Sequence, residues 1–142
     1  MREILFKAKR IDDGKWVEGY YQKRYDLLGN EEHLIFHADS YKVWEYAEIV
    51  PETLCQFTGL TGKNGNKIWE NDILKTRSGE YAQVKFGFYG TGFASGDYNQ
   101  GFYAAFPEDF YYRHELGYWC KESYVIGNIF DNKELLQEES DE

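Results

Sequence analysis

Along the first quarter of the chain, apolar and polar residues alternate with a period of two. Ile4, Phe6 and Ala8 point one way while Lys7 and Lys9 point the other, which is the pattern of a half-buried strand. Asp12-Asp13-Gly14-Lys15 then supplies a turn. Trp16 to Lys23 returns with Trp16, Glu18 and Tyr20 on one face and Val17 and Tyr21 on the other. Asp-Gly between two such runs predicts an antiparallel hairpin. A polar loop at 28–32 precedes a short strand, Leu34 to His37. Tyr41 to Val50 fits either a strand or an irregular turn. Pro51-Glu52-Thr53 breaks the chain before a strand at 54–57.

The second half repeats this style. Asn64-Gly65 predicts a type I′ turn, and Arg77-Ser78-Gly79-Glu80 predicts another turn before a strand at Tyr81–Phe86. Residues 87–101, dense in Gly and aromatics, read as a long loop or an open hairpin. Strands are expected at Phe102–Phe106, Tyr118–Lys121 and Tyr124–Phe130. Asp131-Asn132-Lys133-Glu134 resembles a capping box opening a short C-terminal helix through Leu136, with an acidic tail at 137–142. Many short strands at close spacing point to a mainly β barrel or roll.

Composition sharpens this picture. Aromatics form 19% of the 142 residues, more ring area than a small core needs, so part of it is expected to meet a partner or a second subunit. The formal charge of −9 argues against a protein built mainly to grip phosphates. That charge is uneven: residues 1–24 hold seven Lys/Arg against four acids, whereas the tail from Asp131 holds six acids against Lys133. A basic hairpin face at Arg2–Arg24, with the turn Lys63–Arg77, therefore keeps a nucleic-acid accessory role open as an alternative. No apolar run reaches the ~18 residues of a membrane helix. The charged start Met1-Arg2-Glu3-Ile4-Leu5-Phe6 has no signal-peptide core. A cytoplasmic location, with Cys55 and Cys120 reduced, is the expectation.

Candidate chemistry is sparse. His33 and His37 have the spacing of a helical metal pair. On the strand that Leu34-Ile35-Phe36 predicts, their rings stand ~13 Å apart, too far for one ion. Gly90-Thr91-Gly92-Phe93-Ala94-Ser95-Gly96 is followed by Asp97 and no helical period, so it lacks the helix N-terminus a phosphate loop needs. Glu70 with Asp72, and Glu108 with Asp109, are neighbours in turns and not acids held across a cleft. Asp72 and Glu70 are expected to accept backbone N–H bonds instead. A hydrolase using Glu108, Asp109 and His114 is a third reading, without a framed nucleophile. Cys120 beside Lys121 is expected to be a buried strand cysteine. No catalytic residue, cofactor or metal site follows. The candidate interaction surface is Tyr89, Phe93, Tyr98, Tyr111 and Tyr112, rings placed in loops. Arg113 is the one cation between Lys85 and Lys121, which disfavours base stacking there.

Three blocks carry a family resemblance. They are Met1–Ala8 with Lys15-Trp16-Val17-Glu18-Gly19-Tyr20, then Pro51 through Leu74 (containing Thr58-Gly59-Leu60-Thr61-Gly62 and Ile68-Trp69-Glu70-Asn71-Asp72-Ile73), and Tyr124 through Leu136. In this order the chain resembles the YopX family of phage and prophage proteins. The resemblance implies a phage or prophage origin and one domain over 1–136, with a hairpin region at 1–44 and an SH3-like barrel or roll at 45–130. It brings no catalytic residues. One departure is that a turn often reading Glu-Gly-Asp is Glu70-Asn71-Asp72 here; Asn tolerates the left-handed backbone that Gly provides. The expected role is a non-catalytic protein-interaction module, a homo-oligomer that also binds a host or phage protein. Nucleic acid ranks below these partners, and no membrane is expected.

Overall fold

The computed structural model describes residues 3–38, 41–90, 98–107 and 113–137. The chain is mainly β and divides into two compact units, Met1–Phe57 and Thr58–Glu142.

In the first unit, β1 (Phe6–Lys9), β2 (Trp16–Tyr25), β3 (Glu31–Ala38), β4 (Trp44–Glu48) and the start of β5 (Cys55–Thr61) form an antiparallel sheet in the order β4-β3-β2-β1-β5. The expected hairpin is present, with Phe6 opposite Gly19 and Lys9 opposite Trp16. Its turn is closed by Gly14 at φ +72°, which donates to Arg10 O at 3.0 Å. β2 changes partner part-way. Trp16 to Gly19 pairs β1, and Tyr20 to Tyr25 pairs β3. The change occurs at Gly19 because a Cβ there would sit 2.1 Å from the Phe36 carbonyl oxygen. Alternation then sorts the side chains. Ala8, Ile35 and Ile49 are fully buried, with Phe6, Val17, Tyr21 and Leu54 packed on them. One bridge, Arg10 to Ile49, brings the end of β4 back to the end of β1.

The second unit holds the rest of β5, then β6 (Lys67–Trp69), β7 (Asp72–Thr76), β8 (Tyr81–Gly90), β9 (Tyr98–Ala105), α1 (Leu116–Glu122), β10 (Ser123–Asn128) and α2 (Glu134–Gln137). Its sheet runs β10-β7-β8-β9, all antiparallel. Ile68, Leu74, Ala82, Val84, Ala104, Leu116, Trp119 and Cys120 form the core. Thr58 is buried by a double use of its hydroxyl, which donates to Ile68 O at 2.7 Å and accepts from Leu60 N at 3.2 Å.

Several expectations hold in detail, including the short helix after Asp131. Asn71 is left-handed at φ +72°, and Asp72 Oδ2 accepts the Trp69 N–H at 2.9 Å. Others are corrected. Of Asn64 and Gly65 only Gly65 has positive φ, so the turn is not type I′. Tyr118–Lys121 is helix, not strand. Leu116, Trp119 and Cys120 bury at a spacing of three and four, which is helical period. Residues 87–90 and 98–101 are paired strand, so the open hairpin describes this segment and the long loop does not. Neither sheet closes into a barrel among the described residues.

Candidate functional site

The β8–β9 ribbon carries the described part of the expected aromatic surface. Val84 faces Ala104, Phe86 faces Phe102, Phe88 faces Gln100 and Gly90 faces Tyr98. Directly opposed residues share a face. The row that is fully buried at Val84 and Ala104 continues outward through Phe102, which still packs on the core, to rings that are exposed. Phe86 is 53% exposed, Phe88 70% and Tyr98 65%. Phe86 and Phe102 meet edge to face, with centroids 5.0 Å apart. Period-two spacing at Phe86–Phe88 and Phe102–Phe106 reads from the sequence as ordinary strand core. Phe102 and Phe106 do pack on the core, and Phe86 and Phe88 correct the reading because the core ends at their side of the ribbon. Tyr89 lies on the opposite ribbon face, half-buried and stacked on Tyr103 at 5.5 Å. Phe93, Tyr111 and Tyr112 lie outside the described residues.

In the first unit the register exposes a second aromatic face that the linear pattern did not reveal. Tyr20 opposes Phe36, and Phe36 opposes Tyr46. Tyr20 lies 5.9 Å from Trp44, and Phe36 lies 5.7 Å from Tyr46, centroid to centroid. Tyr20, Trp44 and Tyr46 are exposed. The alternation Trp44-Glu45-Tyr46 was the available signal, but it does not reveal its neighbours on two other strands.

The cations of the basic hairpin are engaged by the protein itself. The Lys7 and Lys9 ammonium groups lie 4.6 and 5.5 Å from the Trp16 ring centroid. Arg24 lies 5.2 Å from the Tyr46 ring and donates to Glu32 at 2.7 Å. Lys23 lies 5.9 Å from the Tyr25 ring and 2.5 Å from Glu31. That hydrogen bond holds the Lys23 pKa above its usual value and the Glu31 carboxyl below its own. In the second turn, Lys63 sits over Tyr124 at 5.0 Å and Arg77 lies 3.6 Å from Glu122.

The chemical candidates stay apart. His33 and His37 both lie on β3. The Tyr21 hydroxyl is hydrogen-bonded to His33 Nδ1 at 2.6 Å, and His33 Nε2 lies 3.4 Å from Glu31. His37 Nε2 is buried without a partner among the described residues. No cluster of three or more His, Cys, Asp or Glu suited to a metal occurs among the described residues. His114 Nδ1 lies 3.3 Å from Ala104 O, while Glu108 and Asp109 lie outside the described residues. Cys55 and Cys120 are buried thiols not joined in a disulfide. Cys120 sits on α1 and not on the expected strand, with its Sγ 3.2 Å from Gly117 O. No helix among the described residues is long and apolar enough to cross a membrane.

A family model described as YopX protein matches residues 5–137. The chain belongs to the YopX family. The match runs through both units of this YopX chain, and so includes the β8–β9 ribbon that falls outside the three recognisable sequence blocks. A search of curated proteins returns no match.

Proposed function

We propose that this YopX protein is a non-catalytic protein-interaction module, encoded by a phage or prophage and acting in the host cytoplasm. It associates with itself through the β8–β9 ribbon. The observation that supports this is the row of rings Phe86, Phe88 and Tyr98, exposed on the ribbon face that continues the core. Three aromatic side chains exposed to this degree present roughly 350 Å² of ring surface. Two such patches meeting about a two-fold axis supply the apolar centre of a modest interface. The −9 charge opposes association, but salt with a Debye length of ~8 Å screens much of that repulsion. A host or phage protein that presents its own apolar strand would use the same surface.

Light scattering at micromolar concentration tests the reading. The expected mass is a multiple of 16.8 kDa, falling to the monomer in the Phe88→Ser, Tyr98→Ser double variant. A wild-type monomer would refute self-association, and an oligomer that ignores the double variant would refute this interface. The nucleic-acid alternative has less support because Lys7, Lys9, Arg24 and Lys63 already rest on the protein's own rings. Binding of DNA that weakens steeply with salt would revive it.

A further inference from the structure

The edge of the first unit's sheet, on β4, has the properties of a docking site distinct from the ribbon. Ile49 N donates to His33 O at 3.0 Å, so that residue's polar backbone faces β3. Backbone direction alternates along an antiparallel strand. Ala47 and Glu45 therefore bond toward β3, and Glu48, Tyr46 and Trp44 turn their N–H and C=O outward. The Glu48 carbonyl is used by Ile11 N at 3.0 Å. Those of Trp44 and Tyr46 have no backbone partner among the described residues.

Natural edge strands are commonly guarded by Lys, Pro or a bulge. β4 reads Trp44-Glu45-Tyr46-Ala47-Glu48, and its register with β3 is unbroken from Leu34–Glu48 to Ala38–Trp44. It has none of those guards. Instead it carries two exposed rings and two exposed carboxylates. The carboxylates select among strands that could pair there. A second β4 would bring four of them onto one ribbon, and like charges on adjacent strands repel.

The molecule also displays how it seats a cation. Lys23 rests over Tyr25 and bonds Glu31. Arg24 rests over Tyr46 and bonds Glu32. Arg113 lies 4.2 Å from the Tyr118 ring and 2.7 Å from Glu115. A ring with a carboxylate beside it is used three times. Trp44, exposed two residues from Tyr46 on the same sheet face, offers its ring to a cation from outside.

We propose that the open edge of β4 accepts an added β-strand from a basic polypeptide, with backbone pairing at Trp44 and Tyr46, a Lys or Arg side chain laid over the Trp44 ring, and the strand's other cations drawn to the exposed carboxylates of Glu45 and Glu48. Main-chain bonds supply register and the alternate side chains supply selectivity. The overall charge of −9 steers such a partner inward.

The test uses the full chain and a fluorescein-labelled octapeptide alternating Lys and Val, read by anisotropy, with the Glu–Val peptide as its opposite. The Lys–Val peptide is expected to bind at least about tenfold more tightly than Glu–Val. Tyr46→Ala removes the ring but keeps the outward N–H. Tyr46→Pro removes both, at an edge position where Pro is tolerated, so it must weaken binding more than Ala does. Glu48→Lys, which leaves the backbone bond to Ile11 intact, should reverse the preference between the two peptides. Circular dichroism confirms that each variant is folded. Failure of the Lys–Val peptide to bind would overturn the proposal. So would binding that Tyr46→Pro leaves equal to Tyr46→Ala, or displacement of the peptide by single-stranded DNA that is itself indifferent to Tyr46→Pro. The Phe88→Ser, Tyr98→Ser variant should bind the peptide normally, which separates this result from the fate of the ribbon.

Discussion

Replacing Gly19 by Ala adds one methyl group at the point where β2 passes from β1 to β3. That methyl would lie 2.1 Å from the Phe36 oxygen, 2.9 Å from Ile35 Cγ2 and 3.0 Å from the Phe36 carbonyl carbon. Real Cβ contacts essentially never fall below 3.0 Å. The backbone of β3 must therefore retreat by about an ångström. It cannot do so freely, because Phe36 is fixed on its other side opposite Tyr46 and Ile35 is fully buried. Forcing extra volume into a packed site costs about 1–3 kcal/mol. A clash with backbone belongs at the upper end, so about 3 kcal/mol and a fall in Tm of roughly 10 °C are expected. Gly117→Ala provides the internal control. Gly117 lies in α1 with open space around its Cβ position and no positive φ. There the same methyl should stabilise by about 0.5–1 kcal/mol through helix propensity. Differential scanning calorimetry of the two variants should move Tm in opposite directions. A Gly19→Ala variant melting with the wild type would mean that β2 does not approach β3 as described.

Trp69→Ala should cost about 3–5 kcal/mol, because the ring is buried while the backbone bond from Trp69 to Asp72 is kept; a chemical denaturation midpoint unchanged from wild type would refute this. The hydrogen bond from Arg10 lowers the Asp12 pKa from 3.8 to about 2. A depressed carboxyl pKa means that this contact's contribution is present above the ordinary value and lost as pH falls toward about 2. NMR titration should place the Asp12 midpoint near about 2 in the wild type and close to 3.8 in Arg10→Ala; equal midpoints would remove the pairing. Intact mass of the denatured, unreduced chain should show two free thiols, and the loss of two hydrogens would contradict that.

The parts of the fold that local chemistry dictates were legible. Alternation at 4–8 and 16–23 and the turn at Asp13-Gly14 each depend on residues within a few positions of one another, whereas the left-handed Asn71 was legible only through the family resemblance, as Asn where Gly is usual. α1 was not legible as helix, because seven residues rich in rings satisfy a short strand pattern as well as two helical turns. The exposure of Phe86 and Phe88 was missed for a different reason. Period-two spacing sets which face a residue takes, but not how far the core extends beneath that face. Tyr98 was expected to be exposed because it was read as a loop residue; it is exposed, but on the paired strand β9. The Tyr20–Phe36–Tyr46 row required the register of three strands separated by loops, which no single segment of sequence contains.

Each unit holds one cysteine, Cys55 at 1% exposure in the first and Cys120 at 6% in the second. A thiol reagent reaches such a sulfur only when the surrounding structure opens. The rate of modification therefore reports the opening free energy of that region, as amide exchange does. Because the two sites differ in sequence, peptide mapping after timed labelling reads them separately in one sample. The wild-type chain is its own two-channel stability gauge, able to show whether Gly19→Ala loosens Cys55 alone and Trp69→Ala loosens Cys120 alone, without any added probe.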